Sequence, residues 1–129
     1  MEKPRLRIAI IDDDESVRNA LRRLLRSANL DADTFASGRD FLDYLSTHRP
    51  DCVVLDLHMP GMNGLDLQRQ LARNGPQIPV VIITGHDEPQ TRAACLTAGA
   101  FACLAKPLDD ETLLDAIYRA AGAVPSSPP

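Results

Sequence analysis

The chain has 129 residues, 44% apolar and 25% charged, the proportions of one globular domain with a single core. Asp and Glu total 18 against 14 Lys and Arg, a formal charge of −4, which argues against a nucleic-acid-binding domain. No apolar run nears the ~18 residues of a membrane span, and the start Met1-Glu2-Lys3-Pro4-Arg5 does not lead into a signal peptide's apolar region. The three cysteines, Cys52, Cys95 and Cys103, lack CxxC spacing and predict neither a disulfide framework nor a zinc site. A cytoplasmic setting is therefore expected, with no membrane contact and no nucleic acid bound by this domain.

Leu6–Ile11 reads as a first strand, apolar enough to be buried on both faces. Asp12, Asp13 and Asp14 follow it. Val17, Ala20, Leu21, Leu24, Leu25 and Ala28 then recur at helical spacing, with Asp14 and Glu15 early and Arg22, Arg23 and Arg26 late, as the helix dipole favours. Asp14 by itself reads as the cap of this helix. The mixed block Ala32–Ala36 predicts an edge strand, and a short helix lies near Asp40–Ser46. Cys52–Leu57 is a third, buried strand ending on Asp56, before the turn Met59-Pro60-Gly61-Met62-Asn63-Gly64 and a helix over Leu65–Arg73. Val80–Thr84 is a fourth strand, and Glu88–Ala98 a helix with Pro89 in its first turn and Gly99 at its end. Ala102–Ala105 runs into Lys106-Pro107, and Leu113, Ala116, Ile117, Ala120 and Ala121 mark a last helix. The tail Ala123–Pro129, with three prolines and two serines, reads as a loose end or the start of a linker, so the domain is expected over residues 1–122.

This alternation predicts an α/β fold of (βα)5 type, a five-stranded parallel sheet with helices on both faces. Sites in doubly wound sheets form beyond the carboxyl ends of strands, where strand order reverses. If the order is 2-1-3-4-5, Asp12, Asp13 and Asp56 converge there. Three close carboxylates repel, and either raised pKa values or a bound cation relieves them. Hard oxygen ligands suit Mg²⁺. Capping explains Asp14 but not Asp56, which closes an apolar strand. Thr84 and Lys106 end the fourth and fifth strands, so a hydroxyl and an ammonium join the acids in a phosphoryl-binding constellation.

The chain resembles the receiver domain of bacterial two-component response regulators over about residues 5–122. The resemblance rests on Ile11-Asp12-Asp13-Asp14, on Leu55-Asp56-Leu57-His58-Met59-Pro60-Gly61-Met62-Asn63-Gly64, on Val81-Ile82-Ile83-Thr84-Gly85-His86, on Ala98-Gly99-Ala100 and on Lys106-Pro107. The DLHMPGMNGLDL and TGHDE stretches are most similar to the branch that precedes LuxR-type helix-turn-helix output domains. The resemblance implies a flavodoxin-like sheet in the order 2-1-3-4-5. It makes Asp56 the phosphoacceptor for a sensor histidine kinase, Asp13 a direct Mg²⁺ ligand, Asp12 a ligand through water, and the His58 carbonyl a further ligand. Thr84 becomes the switch hydroxyl, Lys106 the phosphoryl-contacting lysine, and Lys106-Pro107 a cis peptide. Such a domain is a switch rather than an enzyme, with slow self-dephosphorylation at most. Signalling is expected through the face of the fourth helix, fifth strand and fifth helix, where Arg92, Asp115 and Arg119 offer charges for a two-fold homodimer.

One position departs from the pattern. The family usually carries Tyr or Phe three residues before the lysine, coupled to the threonine; here Cys103 stands there. Strand alternation puts Phe101 on the same face, so either Phe101 substitutes for it or the rearrangement is carried by the loop His86–Pro89 alone. Leu108 replaces a common Phe after Pro107. A second reading is therefore a receiver-like interaction module with an altered or phosphorylation-independent switch. An aspartate-nucleophile phosphohydrolase would need an acid where His58 stands and a cap domain for its substrate. A dinucleotide site would need GxGxxG after the first strand. Arg18, Arg22 and Arg26 form a basic stripe that could dock a kinase or simply face solvent.

Overall fold

The computed structural model describes residues 5–59, 61, 63–74, 77–85 and 88–122. Five strands alternate with five helices in chain order: β1 Arg7–Ile11, α1 Glu15–Ser27, β2 Asp31–Phe35, α2 Gly38–Leu45, β3 Cys52–Asp56, α3 Gly64–Asn74, β4 Val80–Thr84, α4 Pro89–Thr97, β5 Ala102–Ala105 and α5 Asp110–Ala120. All strand pairs are parallel, in the order β2-β1-β3-β4-β5. The expected tail at 123–129, Pro60 and Met62 of the predicted turn, and His86 of the predicted loop lie outside the described residues.

Strand alternation divides the core into two layers. Ile8 and Ile10 of β1, Val54 of β3 and Ile83 of β4 pack with Leu21 and Leu25 of α1 and Leu113 and Ile117 of α5. Ile11, Leu55 and Ile82 face the other way, onto Phe41 of α2, Leu67 and Leu71 of α3, and Cys95 of α4. Central β3 and β4 are buried throughout, whereas every residue of β2 is only half-buried, as its composition and edge position require.

Caps set the helix starts. Asp14 accepts from the Ser16 N–H at 2.9 Å, Ser37 from Asp40, and Asp109 from Thr112. Asp14 is thus the cap the sequence suggests. In α4, Pro89 occupies the first turn, and Gly99 follows the helix at φ +107°, a left-handed conformation that suits glycine.

Candidate functional site

The ladder runs on past the last paired residues and carries the polar side chains with it. The Asp12 N–H donates to Phe35 O at 3.1 Å, Leu57 N–H to Ile83 O at 2.9 Å, and Lys106 N–H to Thr84 O at 2.8 Å. Asp12, Asp56, Thr84 and Lys106 are therefore delivered by four strands to one end of the sheet, where β1 and β3 are neighbours and the strand order reverses. The Lys106–Pro107 peptide is cis, as the resemblance implies.

Local bonds hold the acids in place. Asp12 Oδ1 accepts the Asp14 N–H at 2.9 Å. The guanidinium of Arg18 donates to the Asp12 carbonyl at 2.8 Å. Arg18 is thus tied into the turn after β1, at one end of the predicted stripe of Arg18, Arg22 and Arg26. Asp56 Oδ1 lies 3.4 Å from the His58 N–H.

One oxygen each from Asp12, Asp13 and Asp56 fall within 4.8 Å of one another. Asp12 is 2% exposed and Asp56 6%, while Asp13 reaches solvent. Lys106 Nζ stands 3.8 Å from Asp56 Oδ1 and 3.9 Å from Asp12 Oδ2. A cavity of about 320 Å³ opens over these groups, lined also by Asp14, His58 and Gly85. Burial pushes the Asp56 carboxyl above its usual range and the Asp12 charge adds to this, against the pull of Lys106. Burial likewise raises Asp12, opposed by the Asp14 N–H and Lys106. Two buried carboxylates and an exposed one thus face a single ammonium. That donor set is all oxygen, carries surplus negative charge and opens to solvent, which fits Mg²⁺ with retained waters.

Two residues contribute in ways the sequence did not reveal. Gly64 starts α3 directly against β3: its N–H donates to Leu57 O at 2.8 Å, and a Cβ there would sit 2.5 Å from Asp56 O. The imidazole of His58, a residue expected to act only through its backbone carbonyl, lies with Nε2 3.4 Å from Thr84 Oγ1. A glycine at the start of a helix was the available signal for the first; nothing in the sequence marked the second.

Around Cys103 the structure corrects one expectation. Cys103 is buried in the layer beneath α2, α3 and α4, and Phe101 does not share its face. The chain bends at Phe101 before β5 begins, although its N–H still donates to Val80 O at 2.8 Å, and the residue is 48% exposed. The charges expected at a dimer face also make contacts within the chain. Arg119 bonds Asp115 at 2.8 Å, and the Arg92 guanidinium donates to the Cys103 carbonyl at 2.8 Å. Leu108 is half-buried against the α1 and α5 layer.

The family model for the response regulator receiver domain matches residues 8–118. The DNA-binding transcriptional regulator NtrC of Klebsiella pneumoniae is 40% identical over 111 residues, 86% of this chain and 24% of that protein. The response regulator protein TodT of Pseudomonas putida is 41% identical over 118 residues, 92% of this chain and 52% of that protein. The chain therefore spans about half or less of the length of these relatives. A response regulator receiver protein from Burkholderia phymatum superposes with a TM-score of 0.82 at 44% identity, covering 97% of this chain and all of that one. In sequence over residues 8–118, and in strand order with acids gathered at the switch point, the chain belongs to the response regulator receiver domain family.

Proposed function

We propose that Asp56 is the phosphoacceptor of this receiver domain. The observation that carries the proposal is the position of Asp56: buried, at the carboxyl end of β3, between two further acids and the Lys106 ammonium 3.8 Å away. A carboxylate oxygen of Asp56 attacks the phosphorus of a phosphohistidine on a sensor histidine kinase, or of a small acyl phosphate. The P–N or P–O bond to the donor breaks, and the leaving group departs with its electron pair. Lys106 offsets charge on the phosphoryl oxygens, and Thr84 turns its hydroxyl toward them. Asp12, Asp13 and Asp56, with the His58 carbonyl, would hold Mg²⁺. When bound, the ion supplies charge neutralisation to the phosphoryl group. Water later hydrolyses the acyl phosphate and resets the switch, so the domain turns over slowly and is not an enzyme in the ordinary sense.

The receiver occupies residues 1–122 in this reading, with 123–129 as a Pro/Ser-rich tail or the start of a linker. The DLHMPGMNGLDL and TGHDE stretches alone support a LuxR-type output; the likeness to NtrC shows that similarity is not confined to one branch. A cytoplasmic location suits a partner kinase, and among the described residues no helix is long and apolar enough to cross a membrane. Exposed Leu96 and Phe101 support homodimerisation through the face of α4, β5 and α5.

Incubation with Mg²⁺ and acetyl phosphate should add one phosphoryl group to the wild type and none to Asp56→Asn, as read by intact mass. Equal labelling of both proteins would refute Asp56 as the acceptor.

A further inference from the structure

Thr84 ends β4 with 1% of its surface exposed, and its hydroxyl lies 3.4 Å from His58 Nε2. His58 itself is exposed, so its ring has room to turn. Among the described residues it alone borders both the acidic cavity and a second cavity of about 350 Å³. The far wall of that second cavity is α4, through Gln90, Thr91 and Ala94. The space is many times the ~30 Å³ share of a water molecule, so an imidazole enters it without displacing the walls.

The helix on the far wall buries little of itself. The N-cap of α4, Glu88, makes no side-chain hydrogen bond, and among the described residues Cys95 is the helix's one buried residue. At the other candidate position for a ring, Cys103 is a small buried thiol and Phe101 lies on the surface. Among the described residues, one contact of Thr84 toward the α4 side runs through His58, in the loop after β3.

We propose that His58 is a positioning residue that couples Thr84 to α4. Its imidazole holds the Thr84 hydroxyl in the resting domain. When that hydroxyl turns to a phosphoryl group on Asp56, the ring turns into the second cavity, against Gln90, Thr91 and Ala94. This coupling rests on the phosphoacceptor role of Asp56. A hydrogen bond as long as 3.4 Å is readily exchanged for a bond to a charged phosphoryl oxygen. The released ring then biases α4, which among the described residues buries only Cys95, and this is the local event a switch requires.

The test follows amide resonances of the whole chain in Mg²⁺ as beryllofluoride is added, for wild type, His58→Leu and His58→Gln. Saturation is read at Asp13 and Leu57, and the response at Gln90, Thr91 and Ala94. In wild type the α4 amides should shift with saturation. His58→Leu, which fills space but forms no hydrogen bond, should lose that shift and also move the resting Thr84 methyl resonance. His58→Gln, whose amide can bond the hydroxyl, should recover part of both. A full α4 response at saturation in His58→Leu would overturn the coupling while leaving Asp56 as the acceptor. Failure of beryllofluoride to shift Asp13 and Leu57 in the wild type would overturn the phosphoacceptor reading, and the coupling with it.

Discussion

Replacing Gly64 by alanine sets two effects of opposite sign against each other. Gly64 begins α3, where alanine's better helix propensity gains at most about 1 kcal/mol. Against this, the new Cβ would sit 2.5 Å from Asp56 O and 2.7 Å from Leu57 Cα, where ordinary contact begins at 3.4 Å. Both obstacles are main chain, held by the Gly64–Leu57 hydrogen bond and by the Leu57 N–H bond to Ile83 O. Neither can rotate away, so the start of α3 or the end of β3 must move by a large part of an ångström. Overpacking of this kind costs about 1–3 kcal/mol, so Gly64→Ala should be destabilised by a net ~1–2 kcal/mol, a fall in Tm of roughly 3–10 °C for a domain of this size. The shifted backbone carries Asp56 and His58, so the initial rate of labelling by acetyl phosphate should fall as well. Gly61→Ala supplies the contrast. Its Cβ meets nothing within 4 Å, but its φ of +81° strains a side-chain-bearing residue, so stability should fall without loss of the labelling rate. Thermal unfolding by circular dichroism and time-resolved intact mass read the two quantities. A Gly64→Ala protein that melts at or above the wild type, with its labelling rate intact, would refute the close-approach argument.

The acids should divide by the sign of their pH dependence. Burial raises Asp12 above its ordinary value, so its contribution to stability is complete at low pH and is lost as pH rises through the raised folded value. Asp12→Asn keeps an acceptor for the Asp14 N–H but does not ionise. Without divalent cations it should melt above the wild type at pH 7, with the gap closing on acidification; a gap independent of pH would contradict the assignment. Asp14 behaves oppositely, because the Ser16 hydroxyl and amide hold its carboxyl below the ordinary range. Its stabilisation is present at neutral pH and lost as pH falls through the depressed folded value, so Asp14→Ala should melt below the wild type at pH 7 and converge with it in acid. Melting curves across pH with Asp14→Ala level with the wild type at neutrality would remove Asp14 as the cap of α1.

Much of this domain could be read along the chain because its determinants are local. Apolar blocks set at strand length between helical periods gave element order to within a residue or two, since burial on both faces leaves few other ways to place Val, Ile and Leu. An aspartate closing Cys52-Val53-Val54-Leu55 stood out for the same reason, and parallel strands carry such end residues to one edge. Strand alternation failed at Phe101, where the chain bends although its N–H still bonds Val80 O, and the Arg18 bond to the Asp12 carbonyl was not legible because a long side chain can reach back to the main chain. Contacts between distant segments were beyond local reading. The approach of Gly64 to Asp56, the Arg92 bond to Cys103 and the meeting of His58 with Thr84 depend on how loops and helices settle across the sheet. Residue types and their spacing thus determined the layers and named the acids. Only tertiary packing decided how deeply Asp12 and Asp56 are buried, and so how far desolvation raises them, and which side chain stands between the threonine and α4.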